Sequence, residues 1–218
     1  MQRIAYGEHP SQFGELYLPD GVAEGAVVVI HGGFWHQRYG LELGRPLADV
    51  LVGDGFAVWN IEYRRVGGDG GWPQTGEDVL AALEAVDIGP VVTLGHSAGG
   101  HLAVWAAKHS ERVVGAVAQA AVLDFTKHIT SRALELCSEE QFAQASPAAL
   151  VPIGKPVICV HGDLDEDVPV EQSVEFCALE PQAELDVVEG AGHMDMITPG
   201  TESWERCRGA VVRLARGC

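Results

Sequence analysis

The sequence predicts a single α/β domain, residues 1–218, built on a mostly parallel central sheet with helices on both faces. Three observations carry that expectation. Strand-sized runs of Val, Ile and Leu alternate with amphipathic, helix-sized segments through most of the chain, the rhythm of a parallel sheet buried on both sides. The hexapeptide Gly95-His96-Ser97-Ala98-Gly99-Gly100 separates an apolar run (90–94) from a helical pattern (101–109), so a glycine-flanked serine occupies a tight strand-to-helix turn. Finally, 218 residues suit one such domain, which can bury about 70% of the surface its unfolded chain exposes.

Taken in order, residues 3–6 and 14–18 alternate in polarity and read as an antiparallel edge, followed by a turn at Pro19-Asp20-Gly21. A buried strand is expected at 26–31, a helix at 41–52, a strand at 57–61, a helix at 75–87 and a strand at 91–94. A helix from Ser97 to residue 109 leads to strands at 113–120 and 157–161, a helix at 170–179, a strand at 185–188 and a last helix at 202–216. Residues 123–155 interrupt the rhythm. Their helix-compatible stretches 131–137 and 139–145 suggest either a small helical flap over the strand ends or an elaborated crossover without a role in substrate selection.

The net charge of −17 opposes binding to nucleic acid and to anionic membranes. The apolar runs are strand-sized, too short for a membrane span. The N-terminus lacks a continuous apolar core and a small-residue cleavage site, so no secretory signal is expected and the location is read as cytoplasmic. Five cysteines, odd in number and without metal-ligand spacing, are expected to be reduced thiols, with Cys159 and Cys177 as small core residues. No metal and no organic cofactor is implied. The acid-rich turn at 163–167 lacks the rest of a calcium-binding loop. The expected partner is a small-molecule ester or amide, and a homodimer through the late strand or final helix is compatible with the sequence.

A serine hydroxyl is nearly inert at neutral pH and needs a general base within hydrogen-bond reach. After a serine at such a turn, the chain order of the remaining partners is an acid and then a histidine. Of nine histidines, His9, His31, His36 and His96 precede Ser97. His101, His109 and His128 precede any acid at a late strand end, and His161 sits just before the acidic turn. His193 alone lies beyond that turn, in the glycine-rich loop Glu189-Gly190-Ala191-Gly192-His193, from which it is expected to swing freely onto the serine. The acid must come from His161-Gly162-Asp163-Leu164-Asp165-Glu166-Asp167-Val168-Pro169. Asp163 suits the turn itself, Asp165 stands first by spacing, and Asp167 stands second or caps the next helix. Its role would be to hold the imidazole tautomer. Ile30-His31-Gly32-Gly33-Phe34-Trp35 follows a buried strand, where the amide of Gly33 or Phe34, with that of Ala98, would bind a developing oxyanion.

These four ordered signals, HGGFW, GHSAGG, HGDLDEDVP and GAGH, resemble the α/β-hydrolase superfamily, in particular its small esterase, prolyl-oligopeptidase-like and kynurenine formamidase branch. The resemblance implies the α/β-hydrolase fold and places the acid at Asp165, four residues after the histidine of the HGxxDxxVP turn. Formamidase-type sequences carry Tyr where this chain has Phe34, and the longer HGGG signature is absent. A separate propeller or large cap does not fit this length. The reading is a carboxylesterase-like serine hydrolase of small or medium esters with Ser97, Asp165 and His193 as its triad. An arylformamidase-like amidase is the rival, and a non-catalytic binding module is a more distant one. Trp35, His96 and Trp72 are candidates for substrate contact. Glu62 is expected to pair with Arg64 or Arg65 as a structural ion pair. The alternative gives the glycine-rich run 67–73 to a pocket-lining loop.

Overall fold

The computed structural model describes residues 1–127 and 131–217; His128, Ile129, Thr130 and Cys218 lie outside the described residues. Strands β1 (Gln2–Ala5) and β2 (Phe13–Tyr17) form the antiparallel edge, with Gln2 opposite Leu16 and Ala5 opposite Phe13. The chain continues through β3 (Ala26–Ile30), α1 (Arg45–Gly53), β4 (Ala57–Ile61), α2 (Gln74–Glu84), β5 (Val91–His96) and α3 (Ala98–His109). Then follow β6 (Val113–Gln119), the short helices α4 (Ser131–Leu136) and α5 (Phe142–Ala145), β7 (Val157–Gly162), α6 (Glu171–Leu179), β8 (Ala183–Val188) and α7 (Glu202–Arg216). The sheet order is β1-β2-β4-β3-β5-β6-β7-β8. β2 also runs antiparallel to β4, and every pairing from β4 to β8 is parallel.

β3, β4, β5 and β7 are buried along their whole length, which is why their sequences read as apolar runs rather than alternations. Alternate side chains serve two cores. Val28 and Ile30 of β3 join Val79 and Leu83 of α2, Leu102 of α3 and Phe176 of α6 on one face. Val27 and Val29 join Leu47 and Leu51 of α1 and Trp204, Cys207 and Val211 of α7 on the other. Chain order reverses between β3 and β5, and it is outside the carboxyl ends of strands at such a switch point that ligands bind in open α/β sheets.

Two expectations need correction. The helix expected over 41–52 is divided into a 3-10 turn, Leu41–Leu43, and α1, with Gly44 between them. Pro46, lacking an N–H and clashing with the preceding turn, can only begin a helix. The loop expected around His193 is a 3-10 turn, Leu-free and short, spanning His193–Ile197. Within 123–155, Ala133, Leu136, Phe142 and Ala145 pack into the first core, so the segment is anchored by its apolar side chains. Among the described residues no helix is long and apolar enough to cross a membrane. The described cysteines Cys137, Cys159, Cys177 and Cys207 are free thiols.

Candidate active site

Ser97 stands between β5 and α3 with φ 55° and ψ −117°, a left-handed backbone that costs about 1–3 kcal/mol for a residue bearing a side chain. The flanking glycines are a steric necessity. A Cβ at Gly95 would lie 2.1 Å from the carbonyl oxygen of Gly99, and one at Gly99 would lie 2.1 Å from that of Ile30. Neighbouring backbone fixes the turn: the Ser97 N–H donates to the Gln119 carbonyl (2.8 Å), and the Ser97 carbonyl accepts from His101 N–H (3.1 Å). The positive end of the α3 dipole therefore begins beside the hydroxyl.

Asp165 and His193 come together from different loops. His193 Nδ1–H donates to Asp165 Oδ2 at 2.7 Å, which leaves Nε2 with its lone pair. Asp165 Oδ1 accepts the backbone N–H groups of Asp167 (2.9 Å) and Val168 (2.8 Å). His161 Nε2 lies 3.3 Å from Asp165 Oδ2 and donates to the Val168 carbonyl at 2.9 Å, while Ser173 holds its Nδ1 at 2.8 Å. Burial alone would raise the Asp165 carboxyl, but the hydrogen bonds from His161, His193 and Val168 outweigh it and hold the group well below the usual carboxylate range. Asp163 acts on the turn as expected, accepting Gly190 N–H at 2.6 Å. Asp167 does not cap α6, whose N-cap is Val170.

His193 is not free to swing. It is buried, and its carbonyl accepts from His96 Nε2 at 3.0 Å, with the two rings 4.4 Å apart. Three residues on, the Met196 carbonyl accepts from Gln119 Nε2 at 2.6 Å. His96 is fully enclosed, and burial first, then the neighbouring His193, pushes it down to about 3, so it is neutral at ordinary pH and donates through Nε2. Among the described residues no hydrogen bond joins Ser97 to His193. Such contacts are commonly long in unliganded sites and tighten when substrate is bound.

The loop after β3 is built from three successive residues with positive φ: Gly33 (107°), Phe34 (57°) and Trp35 (54°). A Cβ at Gly33 would lie 2.3 Å from Tyr39 Cβ, so only glycine fits. Glu62 anchors the loop at its root. Its carboxylate lies 2.9 Å from His31 Nε2 and 2.9 Å from Arg65, and accepts Leu41 N–H at 3.1 Å. Burial pushes Glu62 up, but His31 and Arg65 prevail and it lies below the ordinary range. Arg64 turns instead to Asp78 at 2.7 Å. The Glu62–Arg65 pair is thus structural, and it also orients the histidine that opens the loop. Among the described residues, the N–H groups of Gly33, Phe34 and Ala98 donate to no protein acceptor.

A cavity of about 280 Å³ opens here, lined by Ser97 and Ala98, by the apolar side chains of Phe34, Trp35, Val122, Val168 and Pro169, and by Arg132, Asp167 and Gln172. Trp35 meets the cavity while its Nε1–H donates to His101 Nδ1 at 3.1 Å. Trp72 and His96 do not line it. Trp72 packs against Trp105 (4.9 Å between ring centres) and His101 (5.7 Å) in the core. The glycine run 67–73 also stays away from the cavity. Sequence reasoning missed Arg132, Gln172 and Val122. Gln172 fastens the chain after β6, accepting Leu123 and Asp124 N–H groups at 2.7 Å each, a contact across 49 residues that no local pattern announces. Val168 and Pro169 were legible in principle, since they end the same turn that carries Asp165. Among the described residues no group of three or more His, Cys, Asp or Glu side chains is disposed to hold a metal ion.

Against known proteins, the profile of the prolyl oligopeptidase family matches residues 74–203. A truncated carbohydrate esterase from gut microbiota superposes with a TM-score of 0.83 at 20% identity, covering 98% of this chain and 95% of that one. Thermogutta terrifontis esterase 2 phosphonylated by sarin gives 0.81 at 21% identity, covering 96% and 91%. A bifunctional GH43-CE protein of Bacteroides eggerthii gives 0.85 at 21%, covering 97% of this chain and 35% of that one. At these identities the likeness concerns the fold. No curated protein matches the chain.

Proposed function

Because the chain belongs to the prolyl oligopeptidase family and has the α/β-hydrolase fold, we propose that it is a serine hydrolase cleaving carboxylic esters of small or medium acyl groups. The observation that carries this reading is the strained Ser97 elbow opening into an apolar cavity, with a His193–Asp165 pair of the correct tautomer behind it. The esterases among the fold neighbours support the choice of bond.

In this mechanism Ser97 Oγ attacks the acyl carbon as His193 Nε2 takes its proton. Asp165 holds Nδ1–H and stabilises the imidazolium without accepting the proton. The charge that develops on the carbonyl oxygen meets the N–H groups of Ala98 and of Gly33 or Phe34, each worth about 10²–10³ in rate in such sites. Collapse expels the alcohol with the proton from His193. Water, activated by the same nitrogen, then releases the acid and restores Ser97. The two steps together consume one ester and one water and return Ser97 and His193 unchanged.

The test is the initial rate of wild type and Ser97→Ala on 4-nitrophenyl esters from acetate to octanoate, with an N-formyl aryl amide alongside. Ester turnover that falls by roughly 10⁴–10⁶ in the variant supports the reading, and the chain-length optimum sizes the acyl pocket. Ser97-dependent formamide turnover far above ester turnover replaces the ester reading with an arylformamidase one. Turnover that persists in Ser97→Ala refutes the serine mechanism.

A further inference from the structure

Beside the main cavity lies a smaller one of about 140 Å³, lined by Phe34, His36, Arg38, Tyr39 and Arg132. Phe34 and Arg132 line both cavities, so this annex adjoins the space into which Ser97 opens. Its chemistry is unlike the rest of the protein. The chain carries 31 acidic residues against 14 lysines and arginines, yet two of those arginines converge here and, among the described residues, no carboxylate lines the annex. We propose that the annex is an anion subsite, and that the esters this protein takes carry a carboxylate or similar small anion bound between Arg38 and Arg132.

Both guanidinium groups lie against aromatic rings. Arg38 Cζ lies 4.7 Å from the Tyr39 ring centre, and Arg132 Cζ lies 5.6 Å from that of Phe34. The two rings are themselves 6.1 Å apart. A guanidinium stacked on an aromatic face keeps its in-plane N–H groups for a planar anion. Arg38 donates to the Tyr39 hydroxyl at 2.6 Å and forms no ion pair among the described residues. Among the described residues Arg132 pairs with Glu135 at 3.1 Å, with both side chains nearly half exposed, a pair weak enough to exchange for a bound anion. Tyr39 is not a loose support: its carbonyl accepts from Arg65, which pairs with buried Glu62.

The remaining charges make the annex the favoured place for an anion. Asp167 lines the main cavity and not the annex, so a negative substituent in the apolar space would face a carboxylate. With the whole molecule at −17, an anionic substrate approaches against the mean field and needs a local positive patch to be retained.

This inference rests on the ester-hydrolase reading, and two matched substrate pairs separate their failures. On the acyl side, 4-nitrophenyl butyrate is compared with 4-nitrophenyl hemisuccinate, in which a carboxylate replaces the terminal methyl. On the alcohol side, phenyl acetate is compared with 4-carboxyphenyl acetate. In at least one pair kcat/KM for the anionic member is expected to equal or exceed the neutral one. Arg38→Gln and Arg132→Gln should each lower that anionic-to-neutral ratio about tenfold, as loss of a charge-assisted hydrogen bond does. The pair that responds tells which side of the ester the annex receives. Ratios unmoved by both substitutions overturn the anion subsite while leaving Ser97-dependent ester hydrolysis standing. If no ester is cleaved, the function reading fails. Titration of wild type and Arg38→Gln with hemisuccinate ester then decides the annex on binding alone: weaker binding to the variant supports it, and equal binding overturns it.

Discussion

Replacing Asp165 by Asn tests the orienting role of the acid with almost no change in volume. The carboxylate has an acceptor oxygen on each side: Oδ1 takes the N–H groups of Asp167 and Val168, and Oδ2 takes His193 Nδ1–H. Asparagine has one acceptor and one donor, so its NH₂ must face one of these sets. Facing the turn, it opposes two backbone donors and forfeits two hydrogen bonds to a carboxylate, about 3–6 kcal/mol in all. Facing His193, it gives up the His161 contact at 3.3 Å and turns the His193 imidazole into its other tautomer, with the proton on Nε2. The second arrangement costs less and should prevail, and it leaves Ser97 without a base. The expected loss in kcat is roughly 10⁴, or about 5.4 kcal/mol at 1.36 kcal/mol per decade. The fold should lose only about 1–2 kcal/mol, a fall of roughly 2–8 °C in thermal midpoint for a chain of this size. Initial rates on 4-nitrophenyl butyrate and a melting curve measure both quantities. A folded variant keeping more than about a tenth of the wild-type rate would refute the argument. A larger loss in Asp167→Asn would move the role to Asp167.

The same carboxylate sets an acid dependence. Its folded value is depressed, so its contribution to stability is present above the unfolded value near about 4 and is lost as pH falls toward the folded one. Urea midpoints of wild type and Asp165→Asn should therefore differ by a constant amount above about pH 5 and converge below about pH 4; a gap that widens in acid contradicts this. Gly99→Ala should cost more than about 3 kcal/mol in urea unfolding, because the new methyl group meets the Ile30 carbonyl. Gly33→Ala must displace Tyr39, and kcat/KM should drop by about 10²–10³ if one oxyanion donor is misplaced; an unchanged rate would remove this loop from the oxyanion site. His96→Phe keeps a ring against His193 but deletes the donor to its carbonyl. A fall of about tenfold in kcat with KM little changed is the expected signature, and a change confined to KM would assign His96 to binding instead.

What could be read from the sequence was whatever has a local steric or periodic cause. The apolar runs became β3 to β7 because a parallel sheet buries both strand faces. Gly95 and Gly99 could be read because a turn this tight excludes side chains within a few residues of Ser97. Chain order then separated His193 from eight other histidines. The cavity wall was another matter. Trp72 and Trp35 look alike in sequence, yet one faces Trp105 in the core and the other meets the cavity. Only long-range packing of α3 and the 123–155 segment separates them. Arg132 likewise depends on how a short helix is set down, anchored by Ala133 and Leu136 on its inner side. The restraint of His193 was hidden for a similar reason. Its glycine-rich surroundings suggest slack, whereas His96 on β5 donates to the His193 carbonyl and Gln119 on β6 donates to that of Met196, three residues on.

That restraint ties His193 to the most protected layer of the molecule. Its turn hangs from side chains rooted in β5 and β6, and those strands pair with each other and with β3 and β7 in the middle of the sheet. Loosening the turn would expose two buried donors, so it has no inexpensive way to open while the sheet stays intact. Loss of function under denaturant is then a global event. Ester turnover should survive each increment of urea until the sheet itself yields, and the curves for activity and for secondary structure should superimpose rather than stand apart.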